Sequence, residues 1–165
     1  MKTKTIITSA MVLSLGVILP FFTGQIPQIG SQLCHMHFPV FMAGMLLGGK
    51  YGLMIGMILP LLRSFIFGMP LFINALCMAF ELATYGFVAG MMKERFQKND
   101  YSSLIVAMFM GRLIWGIVSF IIYTAMGNPF TFSMFISGAF LMAIPGIILQ
   151  LMIVPPIVKL LKRYV

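Results

Sequence analysis

Three side chains of arginine or carboxylate type fall inside long apolar runs of this sequence: Arg63, Glu81 and Arg112. An arginine or carboxylate near the centre of a bilayer costs at least ~2.5 kcal/mol, so it faces protein or water and marks a partner or a pathway. Asn74, Met78, Glu81 and Tyr85 follow one another at spacings of four, three and four, which puts them on one face of a helix. Arg112, Trp115 and Ser119 share a face by the same rule, with Tyr123 one turn further on. The two stripes read as walls of one polar interior. The chemistry they offer is ionic and hydrogen-bonding recognition. Glu81 is expected to pair with Arg112 or Arg63, and two arginines against one glutamate leave a positive charge to meet a ligand. Arg63 is the expected spare, since it lies about 7–8 Å below the outer turn at helical rise.

Other reactive residue types are scarce. His35 and His37 flank Met36, and residues two apart do not share a helix face. They are read as capping a loop or touching a ligand rather than as metal ligands. Cys34 and Cys77 match no metal spacing and read as buried thiols behaving as small hydrophobes. Asp100, the sole aspartate, falls in a charged loop. An enzyme working inside the membrane would need clustered acids, histidines or a nucleophile at depth, so catalysis is not expected. No motif calls for a cofactor, and there is no Walker A loop for ATP.

The elements that must hold these residues are set by composition. Of 165 residues, 61% are hydrophobic and 8% charged, and mean hydropathy is +1.05. A soluble domain carries about a quarter charged residues, and a membrane helix needs roughly 20 apolar ones, so the chain is filled by five or six spans. We expect an all-α membrane protein of six transmembrane helices forming one domain over residues 1–165. Helix 1 covers Thr5 to Phe22; without a small-x-small cleavage site it reads as an uncleaved span rather than a signal peptide. A polar loop from Thr23 to Gln32 leads to a short helix 2, Leu33 to Gly48. Gly48-Gly49-Lys50 makes a tight turn, and helix 3, Tyr51 to Phe67, is interrupted by Pro60. Gly68-Met69-Pro70 turns into helix 4, Leu71 to Met92. The charged loop Lys93 to Asp100 precedes helix 5, Ser102 to Met126, which Gly127-Asn128-Pro129 breaks. Helix 6 begins near Phe132, bends at Pro145 and is stopped by Pro155-Pro156.

Six spans place both termini on one side, and the basic residues agree. Nine of the eleven, namely Lys2, Lys4, Lys50, Lys93, Arg95, Lys98, Lys159, Lys162 and Arg163, fall on the terminal side, which makes both termini cytoplasmic. The formal charge of +8 therefore belongs to a membrane face, not to nucleic-acid binding. Small residues four apart, Ala10 and Ser14, Gly44 and Gly48, Gly52 and Gly56, permit close helix approach. Packing within the chain is the ordinary use of such pairs, and docking of another membrane subunit is the alternative.

The run His37-Phe38-Pro39-Val40-Phe41-Met42-Ala43-Gly44-Met45-Leu46-Leu47-Gly48-Gly49-Lys50-Tyr51-Gly52, continuing through Leu59-Pro60-Leu61-Leu62-Arg63-Ser64 and Gly68-Met69-Pro70, resembles the substrate-capture (S) component of energy-coupling factor (ECF) vitamin transporters. Met78-Ala79-Phe80-Glu81-Leu82-Ala83-Thr84-Tyr85-Gly86 adds to the likeness. The resemblance implies a multi-pass protein of a bacterial cell membrane. Such a subunit binds a vitamin-like small molecule near the outer face and docks on a coupling (T) subunit carrying two cytoplasmic ATPase subunits. It also implies that Ala10 and Ser14 face the coupling subunit, with Ser14 standing where the family usually has alanine. Pantothenate, a pyridoxine-like or pyrimidine precursor and a flavin all fit the polar groups. A stand-alone secondary transporter or channel for a small polar solute is the alternative function.

Overall fold

The computed structural model describes residues 2–23 and 36–162; His35, Cys34 and Arg163 lie outside them. Every regular element among the described residues is a helix. These are α1 (Lys2–Thr23), α2 (His37–Leu47), α3 (Gly49–Phe67), α4 (Phe72–Glu94), α5 (Asp100–Ala125), α6 (Phe132–Ile136) and α7 (Ile144–Leu161), with a π-helical turn at Ser137–Leu141 between the last two. Counting α6, the π turn and α7 as one span, five helices are long and apolar enough to cross a membrane and α2 is the shorter sixth. The protein is an all-helical membrane protein, with six helices among the described residues.

The boundary between α2 and α3 is a single residue. Gly48 has φ of 101°, which a side chain would strain, and its N–H still donates to Gly44 O at 3.1 Å. Helix α3 therefore resumes at Gly49, two residues before the expected start. The Gly49 N–H, one of the orphan donors of a helix start, donates to the Glu94 carboxylate at 3.3 Å. At the far end of α3, Gly68 closes the helix in the left-handed conformation, its N–H donating to Ser64 O at 2.9 Å.

Two proline readings are corrected. Helix α3 is not interrupted at Pro60, and α7 is not stopped by Pro155-Pro156 but runs through both to Leu161. Proline removes one backbone donor but does not prevent helix within a packed bundle, where neighbouring helices support the weakened turn. Lys159 thus lies on the helix and Lys162 caps it. Pro145 sits in the first turn of α7, where its missing N–H costs nothing, and the break falls before it, in the π turn.

Helix α4 is the centre of the bundle, packed against α2, α3 and α5, while α7 closes on α2 and α5 and α1 lies along α2 and α3. Glycines make the central contacts. A Cβ on Gly86 would fall 2.3 Å from the Gly52 backbone, and one on Gly90 would fall 2.2 Å from Gly49 N. Gly44 and Gly56 likewise have no room for one, against the Gly86 and Leu82 carbonyls. The Gly44 and Gly52/Gly56 motifs are thus used inside the chain, and α2 is buried from His37 to Met45.

All described charges outside the spans gather at one end. Asp100 takes Lys93 Nζ at 2.5 Å and Lys162 Nζ at 3.4 Å, which ties the start of α5 to the ends of α4 and α7. This basic end fixes depth for everything else. Helix α2 is only 11 residues long, about 16 Å, and it starts from this end at Leu47. His37 therefore sits near half-depth, not at the outer mouth.

Candidate functional site

At that depth Tyr85, fully buried on α4, donates to Glu81 Oε1 at 2.6 Å across one helical turn. His37 Nε2 stands 3.7 Å from the same oxygen, and the His37 and Tyr85 rings lie 5.1 Å apart. Phe41, one turn along α2 from His37, covers the other side of the phenol at 4.9 Å. On α5, Gly111 leaves space for the Tyr85 ring, which a Cβ would meet at 2.3 Å. Glu81, the carboxylate on the buried stripe of α4, is thereby enclosed by α2 and α5.

The expected ion pair is absent among the described residues: neither Arg63 nor Arg112 lies within 4 Å of Glu81. Each arginine instead donates to a backbone carbonyl. Arg112 Nη1 donates to Ala139 O in the π turn. In a continuous α-helix Ala139 O would accept from Ala143, but Ala143 N donates to Phe140 O at 3.2 Å instead, so the carbonyl is open to the guanidinium. Arg63 Nη1 donates at 2.6 Å to Val17 O, next to the carbonyl that Pro20 deprives of its donor. The Arg63 guanidinium also lies over the edge-to-face pair Phe21 and Phe67, at 5.4 and 5.5 Å from their centroids. Periodicity fixes which face a side chain is on, but not which neighbour it meets, so the expected pairing does not follow from it.

The remaining stripe residues divide. Asn74 is exposed at the uncharged end, where its Oδ1 accepts from Tyr123 Oη at 2.6 Å and joins α4 to α5. Trp115 is half-buried, stacked on Phe135 at 6.5 Å with Gly138 against its ring edge. Ser119 is fully buried, and its hydroxyl makes no hydrogen bond among the described residues. His35 falls outside the described residues. Ala10 and Ser14 are exposed on α1, whereas Val12 and Gly16 turn toward the bundle. Ala10 borders a 240 Å³ groove with Tyr51, Met54 and Ile58 of α3. Gln150 of α7 was not foreseen; it is 1% exposed with its amide nitrogen unbonded among the described residues. As a lone glutamine within an apolar helix it carried the same signal as Glu81.

A second groove, of 420 Å³, lies between α5 and α6, lined by Gly116, Phe120, Phe130 and Phe135 among others. Its lining is almost wholly apolar, and Ile117 and Phe120 in it are each 55% exposed. It opens on the surface that meets lipid and is separate from the polar cluster. Among the described residues no three His, Cys, Asp or Glu side chains converge as a metal site requires.

A family model described as "ECF transporter, substrate-specific component" matches residues 4–158, nearly the whole chain. The chain belongs to that family. No curated protein and no solved structure matches it. As a substrate-specific component of an ECF transporter, it is a substrate-binding membrane subunit that works with a coupling subunit and ATPases rather than an enzyme. In this S component His37, Glu81 and Tyr85 are in contact at half-depth, and Gly111 of α5, against the Tyr85 ring, is followed by Arg112, which donates to Ala139 O.

Proposed function

We propose that this S component captures a vitamin-sized polar solute from the outer side of a bacterial cell membrane and passes it inward on a coupling subunit driven by two cytoplasmic ATPases. The basic end is the cytoplasmic one, as the positive-inside rule requires. The observation that carries the reading is the half-depth cluster of His37, Glu81 and Tyr85 with Arg112 beside it. Four buried polar side chains on three helices are costly unless they serve a site, and intramembrane ionisable groups mark substrate pathways. The helices meet there through glycine contacts, which gives the cluster a rigid floor.

Docking falls to α1. Ala10 and Ser14 face away from the bundle, and small residues there admit a partner helix at close range. Uptake of the solute by cells carrying this subunit, with and without a coupling module, tests the reading. Uptake that requires the module and ATP hydrolysis is expected; equal uptake by the subunit alone would make it a stand-alone transporter.

A further inference from the structure

The charges buried at membrane depth do not balance. Among the described residues they are two guanidiniums, on Arg63 and Arg112, and one carboxylate, on Glu81. The carboxylate is taken up by Tyr85 and approached by His37, and no carboxylate lies within 4 Å of either arginine. Even with Glu81 fully ionised, one positive charge is left without a counter-ion in a low-dielectric interior, where an unpaired charge is heavily penalised.

The two arginines are not equivalent. Arg63 has the faces of Phe21 and Phe67 over it, and such rings supply negative potential to a cation. Arg112 is 4% exposed and has no aromatic face of that kind. Its Nη1 is spent on Ala139 O, and its Nε–H, like that of Arg63, is buried without an acceptor among the described residues. A guanidinium is a planar fork suited to two-point contact with an oxyanion, and half of this one is unused. The adjacent Gly111 packs on Tyr85, so Arg112 lies beside the half-depth cluster.

We infer that the captured solute is an oxyanion, a carboxylate or a phosphate ester, and that Arg112 is its counter-ion. The inference rests on the capture reading above. It assigns the π turn a role as well: by occupying Nη1, Ala139 orients the fork and leaves Nε free for the anion.

The test uses ligand-stripped full-length subunit and B vitamins with their precursors, set out as acid and neutral pairs: pantothenate with pantothenol, nicotinate with nicotinamide, pyridoxal 5′-phosphate with pyridoxal. Binding is read by calorimetry and melting temperature. The acid of one pair should bind, with its neutral partner at least about 30-fold weaker, the span of a charge-assisted hydrogen bond. The carboxylate and phosphate pairs tell the two oxyanions apart. Arg112→Gln should lose a similar factor, and Arg112→Lys, which keeps the charge but not the fork, should lose less. The wild-type acid-to-neutral ratio stands even if Arg112→Gln unfolds. A neutral partner binding as tightly as its acid, or unchanged affinity in a well-folded Arg112→Gln, overturns the inference and leaves capture intact. No binding by any member would overturn both.

Discussion

The buried guanidinium of Arg112 donates to the carbonyl of Ala139 and not to the carboxylate of Glu81, although the two charges stand on adjacent packed helices. The π turn explains the choice. A continuous helix through Ser137–Leu141 would satisfy Ala139 O internally, whereas the widened turn presents it to α5. Glu81 is then left to Tyr85, one turn away on its own helix. The charged groups are thus held separately, each by a neutral or backbone partner.

This arrangement predicts unequal couplings. In a double-mutant cycle of reversible unfolding in mixed micelles, Glu81→Gln with Tyr85→Phe should show a coupling of ~1.5 kcal/mol or more, that of a hydrogen bond to a charged group. Glu81→Gln with Arg112→Gln should show the smaller coupling of the two. The reverse order would restore the Glu81–Arg112 ion pair.

Arg63 should act on stability. Arg63→Gln removes a charge-assisted bond to Val17 O and the contact with two phenyl rings, together about 2–3 kcal/mol or more, and so should lower the melting temperature of the ligand-free subunit. Arg63→Lys keeps charge but not the flat face and should fall between. A normal melting temperature in Arg63→Gln with weakened ligand binding would instead make Arg63 the ligand contact.

The glycine seam is the least forgiving part of the bundle. Gly86→Ala places a methyl group where the Gly52 backbone stands, and backbone cannot rotate away as a side chain can. A loss of at least ~1–3 kcal/mol is expected, seen as reduced melting temperature and yield. Gly90→Ala should behave alike, and a wild-type melting curve for either would contradict the α3–α4 packing.

These contacts mark what the sequence could and could not tell. Apolar runs and the glycine breaks locate the helices, because lipid requires spans to be apolar and self-satisfied in hydrogen bonds, whereas Pro60 and Pro155-Pro156 lie inside helices that packing sustains. The Gly48 break and the burial of Gly44, Gly52 and Gly56 were legible for the same reason. The partners of Glu81, Arg63 and Arg112 were not, since they depend on the relative register of helices and on carbonyls freed by a π turn that no residue type announces. Gly86, Gly90 and Gln150 carry a signal in their residue types, small or polar within apolar helices.

Docking is predicted to fail before binding does. Ala10→Trp or Ser14→Trp fills the exposed small face of α1, away from the half-depth cluster, and should abolish co-purification with the coupling subunit and uptake while leaving ligand affinity within about twofold. Normal co-purification would move the docking face elsewhere.

The central claim is that this chain by itself recognises the solute. Titration calorimetry of the ligand-stripped subunit, without ATP and without a coupling module, against the B vitamins and their precursors tests it most directly. The account predicts one tight 1:1 binder, weakened by Arg112→Gln and unaffected by Ala10→Trp. A folded subunit that binds nothing across that set, or binds only when the coupling module is added, would contradict it.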